Sequence, residues 1–130
     1  MPYVQLDLPG RYAPDVKRRV AGRLGALYAE VMQTRRSMVN VGFRELGPDN
    51  LYRCGDGEPG PGMVVMCDIR RGRPADQRLR LAEGIREVCV EELGFGPNQV
   101  VVQFSQHAAD EMYRDGGWGR EWSADEATPP

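Results

Sequence analysis

The sequence predicts a two-layer α/β fold in which two tandem β-α-β units form a four-stranded mixed sheet, with two helices on one face. Three observations predict it. The pattern of polar and apolar residues repeats at a fixed offset of 61 residues. Apolar residues in each half change from strand spacing to helical spacing and back. Turn-forming residues then separate these segments, as the middle of the chain shows.

The repeat aligns residues 2–20 with residues 63–81, and the same offset continues without a gap as far as Phe43 and Phe104. Few residues are identical, but polar positions fall on polar positions and apolar positions on apolar ones. A repeat of this kind indicates that one structural unit occurs twice in the chain.

Each half is predicted to run strand, helix, strand. The four strands, rich in alternating or β-branched apolar residues, are Tyr3–Leu8, Val39–Glu45, Met63–Ile69 and Val100–Phe104. The helices follow from residues at helical spacing: Val16, Val20, Leu24, Leu27 and Val31 in the first, and Leu79, Ala82, Ile85 or Arg86, Cys89 and Leu93 in the second. Pro14 and Pro74 suit a first helical turn, and Gly94 ends the second helix.

We expect one domain over residues 1–130. It consists of a first unit (2–46), a linker loop (47–62), a second unit (63–105) and a C-terminal extension (106–130). Within the extension, Ala108–Arg114 is predicted to form a short helix. Two units joined in one sheet leave its other face without cover, which favours packing against another protomer.

Composition narrows the function classes. The chain is 41% hydrophobic and 28% charged, with a net charge of −2, which gives no reason to expect a nucleic-acid partner. No apolar run approaches the ~18 residues of a membrane span, and the N-terminus lacks a secretory pattern, so we expect a cytoplasmic protein without membrane association. Three cysteines and one histidine predict neither a disulfide framework nor a zinc site.

Pro2 directly follows the initiator methionine. Removal of Met1 would leave a secondary amine at the start of the first strand. An α-amino group has a pKa of about 7.7–8.0, and burial near cationic side chains lowers it. Such an amine can accept a proton near pH 7 and return it. With Met1 retained, no such amine exists.

The segment at the end of the third strand reads IRRGRP (69–74). If the two halves join antiparallel, this strand end lies beside the start of the first strand, and Arg70 and Arg73 face the Pro2 amine. Guanidinium groups bind carboxylates through two parallel hydrogen bonds. The alternative interpretation is that these arginines are solvated at an ordinary strand-helix turn.

Pro2, the tandem β-α-β units and the stretch IRRGRPADQR together resemble the tautomerase superfamily, and most of all its cis-3-chloroacrylic acid dehalogenase group, over residues 2–122. The opening PYVQLDLPGR also resembles the malonate semialdehyde decarboxylase branch. The resemblance implies that Pro2 is a general acid/base and that Arg70 and Arg73 bind a substrate carboxylate. It further implies a homotrimer that requires no cofactor and no metal.

The chain also departs from the dehalogenase pattern. That group uses a histidine in the first helix, a tyrosine on the last strand and a glutamate further on, where this sequence has Tyr28, Gln103 and Arg114. Arg114 cannot act as a base, and Glu111, one turn earlier, is the candidate to replace it. His107 matches no family role. Hydrolytic dehalogenation is therefore not the favoured reaction.

The expected function is that of a cofactor-independent tautomerase, an isomerase, or a related lyase. Pro2 would act on a small carboxylate-bearing enol or 2-keto acid, with substrate-binding candidates Arg70, Arg73, Tyr28, Gln103 and Trp118. One alternative is a hydratase, dehalogenase or decarboxylase that uses Pro2 and the same arginines. Others are a catalytically silent trimeric binding protein that retains Met1, and a ferredoxin-like regulatory domain.

Overall fold

Two helices of 19 residues each alternate with the strands of one sheet in the computed structural model, which describes residues 2–127. Met1 lies outside the described residues, so its removal stays a prediction. The elements are β1 (Tyr3–Leu8), α1 (Pro14–Met32), β2 (Asn40–Glu45), β3 (Tyr52–Arg53), β4 (Gly60–Pro61), β5 (Met63–Arg70), α2 (Ala75–Leu93), β6 (Val100–His107), β7 (Tyr113–Arg114) and β8 (Gly117–Trp118).

The helices reproduce the 61-residue offset. Helix α1 begins at Pro14 and α2 at Ala75, and they end at Met32 and Leu93, so both ends keep the spacing. Proline stands in or just before the first turn of each helix, where its missing N–H costs no hydrogen bond. Gly94 ends α2 with a φ of 79°, as predicted, because glycine adopts the left-handed conformation without a steric penalty.

The sheet has the strand order β2-β1-β5-β6. Strand β1 pairs parallel with β2, and β5 pairs parallel with β6, as a helical crossover requires. The two units join through β1 and β5, which run antiparallel. The predicted four-stranded mixed sheet of two tandem β-α-β units is therefore confirmed.

The core lies between the sheet and the helices. Alternate residues of the two central strands are fully buried there: Val4, Leu6 and Leu8 of β1, and Met63, Val65, Cys67 and Ile69 of β5. They pack against Val20, Leu24, Tyr28 and Met32 of α1 and against Leu81, Ile85 and Cys89 of α2. The opposite sheet face carries Tyr3, Gln5, Met66, Val101 and Gln103. Tyr3 and Val101 are exposed on it.

The C-terminal extension differs from the prediction. The expected helix over Ala108–Arg114 is wrong, because only 109–111 form a single 3-10 turn and Tyr113 begins a short hairpin. Asp115 and Gly116 both have positive φ, which is the conformation of a two-residue type I′ hairpin turn. None of the helices within residues 2–127 is long and apolar enough to cross a membrane.

Candidate active site

Pro2 is buried immediately before β1, and its carbonyl oxygen accepts a hydrogen bond from the Asn40 N–H at 3.1 Å. In the antiparallel register, Tyr3 lies opposite Asp68. The next residues of β5, Ile69 and Arg70, therefore continue past the start of β1. The expected neighbourhood of the first strand's start and the third strand's end is present.

Arg70 is the last residue of β5, and its side chain is 3% exposed. One terminal nitrogen, Nη1, donates to the Arg120 carbonyl at 2.7 Å, and Nη2 forms an ion pair with the Glu126 carboxylate. Among the described residues its Nε has no hydrogen-bond partner. Residues of the C-terminal extension thus hold the Arg70 guanidinium in place, and its Nε–H donor has no partner among the described residues.

Arg73 follows the turn at Gly72, whose φ of 119° favours glycine, and is 4% exposed. Its Nε and Nη2 donate to the Met32 carbonyl at 3.2 and 3.0 Å. The Trp122 ring stacks on the guanidinium, 4.7 Å from the ring centre. Burial lowers the pKa of Arg73, since desolvation disfavours its charged form. No carboxylate in residues 2–127 forms a direct ion pair with it.

Tyr28, on α1, is 1% exposed, and its hydroxyl has no hydrogen-bond partner within the described part of the chain. Burial raises the pKa of this phenol, and the nearby charges of Arg73 and Arg70 oppose that effect only in part. A neutral hydroxyl beside two guanidinium groups is a free donor for an anion. The structure thus brings Tyr28 to the arginine pair.

Glu126 is a site residue that the sequence does not predict. Its carboxylate receives hydrogen bonds from Arg70 and from the Thr34 hydroxyl. Partial burial raises the pKa of Glu126, but these two hydrogen bonds and the positive charges of Arg70 and Arg73 together outweigh it, so the net pKa is below the ordinary value. Nothing in the local sequence of the extension marks this glutamate, because its importance follows from contacts with residues 34 and 70.

A cavity of about 570 Å³ opens beside Arg70 and is lined by residues of the extension together with Arg35 and Met38. Trp118, a predicted substrate-binding residue, lines it with a largely exposed side chain. Glu126 also lines it, whereas Pro2 and Arg73 do not. The cavity could therefore give a small ligand access to Arg70 from one side.

Gln103 is not brought into this cluster. It pairs with Met66, three residues along β5 from Ile69, which is about 10 Å at strand spacing. It is exposed on the face away from the helices. His107 lies opposite Arg70 in the register, with its Nδ1 3.2 Å from Asp68.

Glu111 and Arg114 hold local positions. The Glu111 carboxylate accepts the Ala108 N–H at 2.9 Å, which closes the 3-10 turn. Arg114 lines the cavity and contacts Met38 and Asp115. The carboxylate nearest to Arg70 is therefore that of Glu126 and not that of Glu111. Within residues 2–127, no group of three or more His, Cys, Asp and Glu side chains is placed to hold a metal ion.

Comparison with known proteins places this geometry in context. No protein-family model and no curated protein matches the chain. Solved structures do. The structure of N1, a member of the cis-3-chloroacrylic acid dehalogenase family, is similar at a TM-score of 0.84 and 25% identity, over 98% of this chain and 92% of that one.

Two further solved structures share the fold at lower identity. Pt0534, inactivated by 2-oxo-3-pentynoate, is 20% identical with a TM-score of 0.78, over 90% of this chain and 94% of that one. R7 fused 4-OT, an asymmetric trimer, is 17% identical with a TM-score of 0.78, over 89% of this chain and 94% of that one.

The sheet order, the paired helices and these likenesses show that the chain has the fold of tautomerase-superfamily proteins. The likeness to N1 confirms the resemblance to the cis-3-chloroacrylic acid dehalogenase branch that the sequence indicated.

Proposed function

We propose that the chain is a cofactor-independent enzyme in which Pro2, freed of Met1, is the general acid/base for a small carboxylate-bearing enol or 2-keto acid. Arg70 and Arg73 bind the carboxylate. One observation supports the proposal: the side chains of Arg70, the last residue of β5, and Arg73 are almost completely buried, and β5 ends at the edge of the sheet where β1 begins. Burying two cations is costly unless anions compensate them, and within residues 2–127 only the Glu126 carboxylate forms an ion pair with either arginine.

The reaction that fits these groups is ketonisation of an enol. The neutral Pro2 amine takes the proton of the enol hydroxyl, which leaves an enolate, and the resulting ammonium delivers a proton to carbon. The amine is then neutral again, so no group is consumed. Arg70 and Arg73 hold the carboxylate and stabilise the negative charge that develops on the enolate oxygen. The Tyr28 hydroxyl, which has no hydrogen-bond partner among the described residues, supplies a further donor.

Assembly belongs to the same proposal. We expect a homotrimer, because Tyr3 and Val101 are exposed on the sheet face away from the helices and the structurally similar R7 fused 4-OT is a trimer. Light scattering coupled to gel filtration measures this directly. A mass of one chain would contradict the trimer but not the chemistry at Pro2.

Intact-mass spectrometry is the first test, since a retained Met1 would leave no amine and would favour the silent binding protein. Ketonisation of phenylenolpyruvate or 2-hydroxymuconate, followed by ultraviolet absorbance, then tests turnover. Pro2→Ala is expected to lower kcat about 10²–10⁴-fold, the usual contribution of acid/base catalysis. Pro9→Ala, in the loop after β1, is the matched proline control.

The arginine assignment has its own pair of variants. Arg70→Lys keeps the charge but loses the fork, so we expect KM to rise, whereas Arg71→Lys should change little because Arg71 is 63% exposed and pairs with Glu121. Treatment with 2-oxo-3-pentynoate, which inactivated Pt0534, should add one molecule at Pro2. Undiminished turnover in Pro2→Ala would overturn the proposal.

A further inference from the structure

The C-terminal strap, residues 118–127, lies over the two buried arginines. Its contacts come from separate points: the Arg120 carbonyl accepts from Arg70, and the Trp122 ring covers Arg73. The Trp122 indole N–H donates to the Gln33 carbonyl at 3.1 Å, which fastens the strap to the end of α1. The strap therefore closes the guanidinium side of the site with residues of the same chain.

Glu126 gives the strap a chemical character that the other contacts lack. Its carboxylate pairs with Nη2 of Arg70 and accepts the Thr34 hydroxyl, which is the pairing that a bound carboxylic acid would make. A substrate carboxylate and the Glu126 carboxylate have the same charge and the same hydrogen-bonding groups. Both cannot occupy one face of one guanidinium, because like charges at contact distance repel.

We propose that Glu126 is an internal competitor for the carboxylate subsite, so that substrate binds to Arg70 only when the strap releases this side chain. The proposal rests on the proposed function, which makes Arg70 the carboxylate subsite. Its consequence is that Glu126 sets the affinity of the site for small carboxylates. A carboxylate binds only if its own interactions with Arg70 outweigh the Glu126–Arg70 ion pair that it displaces.

The end of the strap that carries Glu126 is weakly held. Residues 124–127 form only one short 3-10 turn, and Glu126 keeps 23% of its side chain exposed, against 3% for Arg70. Arg35 and Arg114 line the same cavity and offer cationic positions to a displaced carboxylate. The Trp122 contacts do not depend on Glu126, so the turn can open while the indole stays in place.

Binding of propionate tests the proposal, because propionate carries the carboxylate and cannot enolise. The affinity is measured by NMR titration of the arginine side-chain N–H signals. Glu126→Gln keeps the shape and removes the charge, and it is expected to bind propionate about tenfold more tightly than the natural chain. Asp110→Asn, at an exposed position in the 3-10 turn over 109–111 and outside the cavity lining, is the matched control and should bind like the natural chain.

A second measurement covers the strap itself. In the natural chain, saturating propionate should speed hydrogen exchange at the Glu126 amide, which donates to Ser123, and leave β1 unchanged. Equal propionate affinity in Glu126→Gln and the natural chain, or binding with no change in exchange, would overturn the proposal. If Glu126→Gln proves unstable, Glu126→Ala is held to the same tenfold criterion.

The two proposals fail separately. Propionate binding needs no amine, so an inactive chain, or one whose turnover survives Pro2→Ala, can still show the Glu126 effect. Conversely, full dependence on Pro2 together with unchanged propionate affinity in Glu126→Gln would remove the competitor and leave the catalytic proposal intact.

Discussion

The Tyr28 hydroxyl yields a prediction with an unusual sign. An unsatisfied buried hydroxyl costs about 1–3 kcal/mol, and this one has no partner within residues 2–127. Tyr28→Phe removes the oxygen and its cost, while the ring and its packing stay. The lost volume of one atom offsets part of the gain, so we expect about 1 kcal/mol of added stability, or about 4 °C in Tm for a chain of this length.

Tyr12→Phe is the matched control, because the same atom is removed where it makes a bond. The Tyr12 hydroxyl donates to the Leu93 carbonyl at 3.1 Å, so this variant should lose about 0.5–1.5 kcal/mol. Urea denaturation followed by circular dichroism measures both. A Tyr28→Phe chain that is destabilised as much as Tyr12→Phe would refute the reasoning, since it would mean that the Tyr28 hydroxyl has a partner, such as an ordered water. A rise in KM in Tyr28→Phe would support its predicted role in substrate binding.

Two further predictions concern the frame of the fold. Gly94→Ala should cost about 1–2 kcal/mol by urea denaturation, because its φ of 79° is strained for any residue with a Cβ. Gly10→Ala, in open space without a positive φ, should stay within about 0.5 kcal/mol, and an equal cost at both would contradict the explanation. The hydrogen bond from Lys17 lowers the pKa of Glu45. A carboxyl group with a lowered pKa contributes stability that is complete above the ordinary value near 4.5 and is lost as the pH falls below it. In Glu45→Gln, the free energy of unfolding should therefore depend less on pH between about pH 5 and 3 than in the natural chain. Glu58→Gln, in the exposed loop between β3 and β4, should leave the natural pH profile unchanged.

The sheet and helices were predictable because their signals are local. Strand β1 was placed at Tyr3–Leu8 from alternation alone, and the structure has the same bounds. The repeat then carried the first helix onto the second. The extension is harder to predict, because the helix pattern over Ala108–Arg114 competes with the hairpin signal of the Asp115-Gly116 turn, and the structure follows the hairpin.

The candidate site was predictable only in part. Pro2 and the two arginines are recognisable from their types and their places at strand ends. The depth of their burial is not, because Arg70 and Arg73 are covered by Glu126 and Trp122, about 50 residues away in sequence. No local pattern reports contacts between such distant segments. Gln103 was chosen by position in a family pattern, and the register of β6 places it along the strand from the cluster.

The offset that pairs the two halves also limits what the second half can do. It carries Pro2 onto Met63, whose nitrogen is joined to Gly62 in a peptide bond. An amide nitrogen shares its electron pair with the carbonyl and does not act as a base near neutral pH. A chain with two copies of one unit therefore has one amino terminus, and chemistry that needs a terminal amine can occur at one position per polypeptide.

The two arginines occur only in the second half of the chain. Their counterparts in the first half are Pro9 and Tyr12, which carry no charge. The amine thus belongs to one copy and the cations to the other, so neither copy would possess the proposed site if separated from its twin. Fusion of the halves does more than double the sheet: it fixes, within one backbone, the distance between two groups that no single unit contains.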